Sequence, residues 1–393
     1  MVSNDFPVKD YPPDLDGLLD FIVKSGQGKA VFRGQQNGFL VTDVWRIKSW
    51  MSGSGSLSKS RILCRESLIR FGKEDKTEKK HFVIKYDWSY KRDKLIREIN
   101  WLLNLDKSGS DLFPKIVYYS RNKKCPFHIT PHYGEYTALS DLFLYKKMSN
   151  KNVDRILNEL LNLVFNKIYS KKVSKECAGY IQKFYIKRIE KRLKETVFYC
   201  KPFKELINER KISINGVTYE NAPRLVAQLK NNKKAIRRLN PLSLSMVHGD
   251  LHFGNILLSD SQKPRFKLVD PAAFPRAAYT YDMGKLYHSF HGGYDALHDD
   301  KFRLGLWHDK IMHAKLEIER NKNYSHINRQ FKKIVEKNKF EQITEDPEWE
   351  TKSLFAEACH FISMMPFHLE NEEKAKAIYL QGVVLLNNII NKL

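Results

Sequence analysis

Asp250, Asn255 and Asp270 lie in one short segment, Val247-His248-Gly249-Asp250-Leu251-His252-Phe253-Gly254-Asn255-Ile256-Leu257-Leu258, which continues to Lys267-Leu268-Val269-Asp270-Pro271. No other feature of the chain restricts its folding as much. Asn255 leads into the apolar run Ile256-Leu257-Leu258, and the run from Phe266 to Val269 leads into Asp270. Two short strands joined by the polar turn from Ser259 to Pro264 place Asn255 and Asp270 at one end of a hairpin. Asp250 precedes the first strand, on a turn that Gly249 makes accessible. Asp and Asn flank many plain hairpins, so an isolated Asp-x4-Asn spacing carries little. Here four features coincide: His-Gly before the first Asp, the Asn, the strand after it, and a second Asp after another strand.

These side chains suit phosphoryl transfer. The transferred group passes through a loose transition state with its charge spread over oxygens, so a protein has mainly to position groups and neutralise charge. Mg²⁺ takes hard oxygen ligands and keeps several waters; one carboxylate (Asp270) and one amide oxygen (Asn255) are enough from the chain. Asp250 then has only to accept a hydrogen bond from an acceptor hydroxyl, which an ordinary carboxylate can do.

Such a site needs a partner segment that grips a nucleotide triphosphate. His81-Phe82-Val83-Ile84-Lys85-Tyr86 reads as a strand carrying one Lys. Glu98 follows in Asp93 to Leu103, where Leu95, Ile96, Ile99, Leu102 and Leu103 have helical spacing. A strand Lys on the α- and β-phosphates, paired with a helix Glu, is a known nucleotide anchor. Upstream, Val44 to Trp50 and Arg61 to Cys64 read as strands around a Gly/Ser turn with Gly53 and Gly55, whose backbone N–H groups could approach phosphates closely. Phe127-His128-Ile129-Thr130-Pro131-His132-Tyr133-Gly134 reads as a strand running into a turn; residues Thr130, Pro131, His132 and Tyr133 are expected to meet the adenine through backbone groups.

The 393 residues suffice for two cores. Val153, Ile156, Leu157, Leu160, Leu161, Val164 and Ile168 make one apolar helix face, and Ile181, Phe184, Tyr185, Ile189 and Leu193 another. Asn215-Gly216 between Ile212 and Tyr219 signals a hairpin, and a helical pattern follows Pro347 to the end. Residues 1 to 40 form a polar extension with a short helical stretch, Leu15 to Val23. Five cysteines without paired spacing point to a reducing compartment. No apolar run has the length of a membrane span and the start lacks a signal-peptide pattern, so a cytoplasmic location is expected. His248, His252 and His288 have no Cys or carboxylate partner at zinc-site spacing. His248 is expected to brace the Asp250 turn, and Asp282 to cap its helix or hold that turn.

The chain has a net charge of +23, and basic residues cluster in two runs, Lys183, Lys187, Arg188, Lys191, Arg192, Lys194 and Lys230, Lys233, Lys234, Arg237, Arg238. Such runs on helices are commonly solvated faces; read functionally, they offer a surface to an anionic partner.

The segment His248 to Asn255 with Asp270 resembles the aminoglycoside phosphotransferase and choline kinase superfamily, which has His-Gly-Asp where protein kinases have His-Arg-Asp. The resemblance extends over roughly residues 40 to 390. It implies Asp250 as the catalytic residue, Asn255 and Asp270 as metal ligands, Lys85 with Glu98 as the phosphate anchor, and ATP or GTP with Mg²⁺ as donor and cofactor. A narrower likeness, in Val269-Asp270-Pro271, Tyr281-Asp282-Met283-Gly284-Lys285-Leu286-Tyr287-His288-Ser289, Gly292-Gly293-Tyr294-Asp295, Ser363 to Leu369 and Ala377 to Gly382, is to phosphotransferase-like proteins of bacterial capsule and surface-polysaccharide clusters. Those carry Asp-Pro-Arg-Gly where this chain has Asp270-Pro271-Ala272-Ala273.

The expected fold is α+β and protein-kinase-like, in two lobes: an extension (1–40), a small antiparallel-sheet nucleotide-binding lobe (41–133), and a larger, mostly helical lobe (134–393) with the catalytic and metal loops. The expected activity is Mg²⁺-dependent transfer of a γ-phosphate to a hydroxyl of a small molecule or glycan, with a sugar or sugar derivative of a bacterial surface polysaccharide foremost. A kinase-fold binding module for RNA or another polyanion is the alternative of a different class. An aminoglycoside or choline-type kinase is a lesser one, because polycationic acceptors need acidic pockets and this lobe is basic. A protein kinase ranks below these, since no Ala-Pro-Glu motif follows Asp270.

Overall fold

A computed structural model describes residues 49–51, 61–68, 79–86, 92–105, 111–116, 118–121, 126–131, 133–170, 172–174, 177–262, 265–274 and 276–393. Expectations for residues 1–40, for Val44 to Lys48, and for Gly53, Gly55 and His132 lie outside the described residues. The chain forms two compact units. One holds the described residues up to Tyr136 together with Ser259–Lys267; the other holds Thr137–Leu258 and Leu268–Leu393.

The first unit is built on a five-stranded sheet of β1 (Ser49–Met51), β2 (Arg61–Leu68), β3 (Lys79–Tyr86), β4 (Tyr118–Ser120) and β5 (Phe127–Pro131). The order is β1-β2-β3-β5-β4, and every neighbouring pair is antiparallel. Helix α1 (Arg92–Leu103) follows β3. Its Leu95 and Ile99 are buried with Tyr119 of β4, as the helical spacing predicts. Lys85 stands on β3 with Ile62 and His128 as its register partners on either side. Directly paired residues project to the same face of a sheet, so the register brings Lys85 and His128 to one face.

The second unit is mostly helical. The predicted apolar face of Asn150–Val164 is buried at Val153, Ile156, Leu157, Leu160, Leu161 and Val164, and Ser149 caps the helix by accepting from Asn152 N–H. The backbone then widens into a π turn, Phe165–Tyr169, which keeps Ile168 buried. All of Tyr279–Phe290 is buried, which makes it a central helix of this unit. It packs against Trp349–Ser363 at Gly284, where a Cβ would lie 2.7 Å from Ala356 Cβ and 2.8 Å from the Ser353 carbonyl oxygen. Only glycine permits that approach.

This unit also holds a four-stranded sheet. The strands Lys211–Ile214 and Val217–Glu220 turn through Asn215 (φ 52°) and Gly216 (φ 82°), the left-handed pair of a two-residue hairpin. Met312–Ile318 pairs parallel to the first of them and antiparallel to Phe302–His308. The second hairpin was not among the expected elements. Its signal is the alternation of Phe302, Leu304 and Leu306 with more exposed residues, then of Ala314, Leu316 and Ile318.

Candidate active site

In the first unit, the helix that follows β3 presents Glu98 to the sheet face that carries Lys85. Lys85 Nζ donates to both carboxylate oxygens of Glu98, at 2.8 and 2.7 Å. His128 Nε2 lies 3.3 Å from Glu98 Oε1. All three residues are buried. Burial by itself would raise the Glu98 carboxyl, but the Lys85 charge and the His128 contact outweigh it and hold the group at about 2. Thr130 is buried on β5 opposite Val83, and Pro131 stands opposite Phe82. Tyr133 packs edge-on to Tyr136, with the Lys267 ammonium 5.3 Å from its ring centre. His128 carries no site signal of its own in the sequence. Period-two alternation puts it on the Thr130 face, but its pairing with Lys85 depends on register, which no local pattern states.

In the second unit, a loop, a hairpin base and a helix converge. Gly249 has φ +81°, and a Cβ there would sit 2.7 Å from Phe274 Cδ2 and 2.8 Å from Ala272 Cβ. The backbone N–H groups of His248 and Gly249 donate to the two oxygens of Asp282, each at 2.7 Å. Asp282 lies in the first turn of Tyr279–Phe290; the helix N-cap is Ala278, without a side-chain cap. Of the two roles expected for Asp282, holding the turn is the one the geometry displays. Tyr169 donates to the same carboxylate at 3.2 Å. Burial pushes the Asp282 carboxyl up to about 7, against these hydrogen bonds.

His248 Nε2 donates to the Val269 carbonyl at 2.9 Å, and its Nδ1 accepts from Asp250 N–H at 3.2 Å. Ala272 N–H donates to the His248 carbonyl. The Asn255 amide NH₂ donates to the Asp250 carbonyl at 2.9 Å, and the Asn255 carbonyl accepts from Val269 N–H at 3.0 Å. Backbone bonds therefore tie the residue before Asp270 to Asn255, and the Asn255 side chain to Asp250. Between them Phe253 is an anchor, fully buried against Phe143 and Phe290. Asp270 (φ 59°) and Ala273 (φ 56°) both adopt the left-handed region. At Ala273 the loop therefore has a glycine-like backbone at a residue that carries a Cβ.

Lys285 and His252 both approach the Asp250 carboxylate. Lys285 Nζ is 2.9 Å from Oδ1, and His252 Nε2 is 3.9 Å from Oδ2. His252 Nδ1 accepts from Gly254 N–H, which leaves the proton on Nε2. Burial and nearby cations bring His252 down to about 4, although Asp250 opposes this. Lys285 had no assigned role from sequence. His288 stacks on Tyr294 and lies 3.2 Å from Met364 Sδ.

The basic runs divide by face. Arg188 lies over the Tyr281 ring and donates to its hydroxyl; Arg192 covers Phe367 and pairs with Glu195. Lys230 pairs with Glu190 at 3.2 Å, which brings the two runs together. A cavity of about 250 Å³ there is lined by Gln182, Lys230, Lys233, Ile236, Arg237 and Asn240. Among the described residues, no helix is long and apolar enough to cross a membrane.

No protein-family model matches the sequence, and neither does any curated protein. Solved structures do. The choline kinase LicA from Streptococcus pneumoniae is similar over 83% of this chain and 94% of its own, with 13% identity and a TM-score of 0.45. An aminoglycoside-3'-phosphotransferase of type VIII is similar over 59% and 80%, with 14% identity and a TM-score of 0.35. The aminoglycoside phosphotransferase APH(3'')-Id from Streptomyces rimosus is similar over 78% and 92%, with 10% identity and a TM-score of 0.40.

Proposed function

We propose that this chain is a phosphotransferase that moves the γ-phosphoryl group of ATP or GTP to a hydroxyl of a small molecule or glycan. The observation that carries the reading is the linked set of Asp250, Asn255 and Asp270, held by Asp282 and His248. Asp250 accepts a hydrogen bond from the acceptor hydroxyl and receives its proton. The acceptor oxygen bonds to the γ-phosphorus as the bond to the bridging oxygen breaks, and the nucleoside diphosphate leaves with that electron pair.

The donor set fits Mg²⁺. The NH₂ of Asn255 is committed to the Asp250 carbonyl, so its amide oxygen remains as ligand, and Asp270 contributes a carboxylate; both are hard oxygens. Bound there, the ion would neutralise phosphate charge. Lys85, oriented by Glu98 and His128, takes the role of phosphate anchor, and Thr130 to Tyr133 the role of backbone contact to the base. The acceptor is read as a sugar or sugar derivative of a bacterial surface polysaccharide, in a cytoplasmic enzyme.

Transfer of labelled γ-phosphate from ATP into a fractionated bacterial extract tests this, with Asp250→Asn as control. Label in one fraction, absent with the variant, is the expected result and identifies the acceptor class. Equal labelling by the variant would refute the role of Asp250. A second reading, a polyanion-binding module, draws on the cavity around Lys230, Lys233 and Arg237. It predicts nucleotide-independent binding of RNA or acidic polysaccharide that falls steeply with salt.

A further inference from the structure

We propose that Lys285 is a positioning residue for Asp250, so that one turn of one helix sets both the backbone and the carboxylate of the transfer site. The inference rests on the phosphotransfer reading above and adds a residue to it.

Asp282 and Lys285 are three positions apart on Tyr279–Phe290 and therefore share a face. Asp282 takes the N–H groups of His248 and Gly249, and Lys285 takes Asp250 Oδ1 at 2.9 Å. The Lys285 side chain is 11% exposed and that of Asp250 37%. The buried partner is thus the cation, and the half-exposed carboxylate is the group that needs holding. Burying an ammonium is costly unless it is paired, and the carboxylate partner of Lys285 among the described residues is Asp250. The helix that carries Lys285 is packed closely beside this position. The neighbouring Gly284 is pressed against Trp349–Ser363, with backbone and side-chain atoms 2.7 to 2.9 Å from where a Cβ would be.

This pairing does what a loose transition state requires. Little bond-making help is needed from a base, so geometry dominates. A carboxylate has about four lone-pair sites; with one oxygen fixed by an ammonium, the direction of the other is set. Without Lys285, the carboxylate loses the contact that fixes Oδ1, and misplacement of about 1 Å is enough to cost about 100-fold in rate.

The test compares Lys285→Met, Lys285→Arg, Asp250→Asn and the double variant Lys285→Met/Asp250→Asn, measuring kcat and nucleotide KM with the acceptor fraction found above, or nucleotide hydrolysis by water. Lys285→Met is expected to lower kcat about 10- to 100-fold with nucleotide KM within about twofold. Lys285→Arg, which keeps charge and donor, should recover part of that loss. The double variant should be no slower than Asp250→Asn alone, because Lys285 acts through Asp250. Losses that multiply in the double variant, or an unchanged kcat in Lys285→Met while Asp250→Asn is inactive, would overturn the proposal and leave the phosphotransfer reading standing. Wild-type turnover by Asp250→Asn would overturn both. A readout without turnover is ¹⁵N NMR of the lysine ammonium groups. One protected signal should disappear in Lys285→Met and shift in Asp250→Asn; no shift in Asp250→Asn would exclude the pair.

Discussion

The two oxygens of Asp282 each accept a backbone N–H, from His248 and Gly249, at 2.7 Å. One buried side chain thereby sets the path of the loop that carries Asp250. It also pairs two donors that would otherwise be buried without acceptors.

Asp282→Asn replaces one acceptor oxygen with an NH₂ that faces an N–H donor. A loss of about 2–3 kcal/mol in unfolding free energy is expected, as for a buried donor left without its acceptor, with a matching fall in thermal midpoint. The pH dependence has a definite sign. Burial raises the Asp282 carboxyl to about 7, above the ordinary value of about 4 in an unfolded chain. Between these values the folded state binds the extra proton, so stability falls as pH rises from about 4 to about 7 and is level above that. The groups facing this carboxyl are Tyr169, Asp250 and the two backbone N–H groups. Asp295, also raised to about 7 by burial, titrates over the same window, so chemical denaturation should show a shallower fall of stability with pH in Asp282→Asn than in the wild type, by the share of one proton.

Glu98 behaves in the opposite sense. Lys85 and His128 overcome its burial and hold it at about 2, so its contribution is present above the ordinary carboxylate range and is lost as pH falls through about 2. Glu98→Gln at neutral pH removes the charge that Glu98 sets against the buried Lys85 ammonium, and a loss of about 3–5 kcal/mol is expected. Urea denaturation at pH 7 checks this. An undiminished midpoint would show that Lys85 finds another partner or reaches solvent.

Two left-handed positions near Asp250 make a paired prediction. Ala273 has φ 56°, a conformation that costs a residue with a Cβ about 1–2 kcal/mol. Ala273→Gly should therefore raise stability, net of a glycine entropy cost of about 0.5–1 kcal/mol. Gly249→Ala should do the reverse, since its Cβ meets Phe274 and Ala272 as well as the backbone penalty. Thermal midpoints of the two variants should lie on opposite sides of the wild type.

Asn221 joins three segments. Its NH₂ donates to the carbonyls of Leu206, Ile207 and Glu209, and its oxygen accepts from Ala222 N–H and Tyr379 hydroxyl. Asn221→Ala leaves buried carbonyls and a buried hydroxyl unpaired; a loss of at least about 2 kcal/mol in unfolding free energy is expected. Asn221→Asp, which keeps one acceptor but turns a second oxygen toward those carbonyls, should be at least as destabilising as Asn221→Ala at neutral pH.

Much of the candidate site was legible because it is local. Asp250, Asn255 and Asp270 belong to one hairpin and its approach, so their spacing already implied that backbone bonds would bring them together. The strand of Lys85, the helix of Glu98 and the Asn215-Gly216 turn were legible for the same reason: period two, period 3.6 and a left-handed dipeptide are all written in adjacent residues. The expected bracing by His248 was also a short-range matter, a ring two residues from Asp250 N–H.

What tertiary structure alone decided lies between segments distant along the chain. That Lys285 of a helix reaches Asp250 of a loop, that His128 joins Glu98, and that Ala273 takes a glycine's conformation follow from helix packing, strand register and loop stapling. Local propensity contains none of these, because each depends on which of many surfaces comes into contact. By itself the sequence determined the chemistry of the side chains and the periodicity of the elements; the packed structure determined which buried charge is compensated by which, since the cost of burying a charge exists only once the water around it is gone.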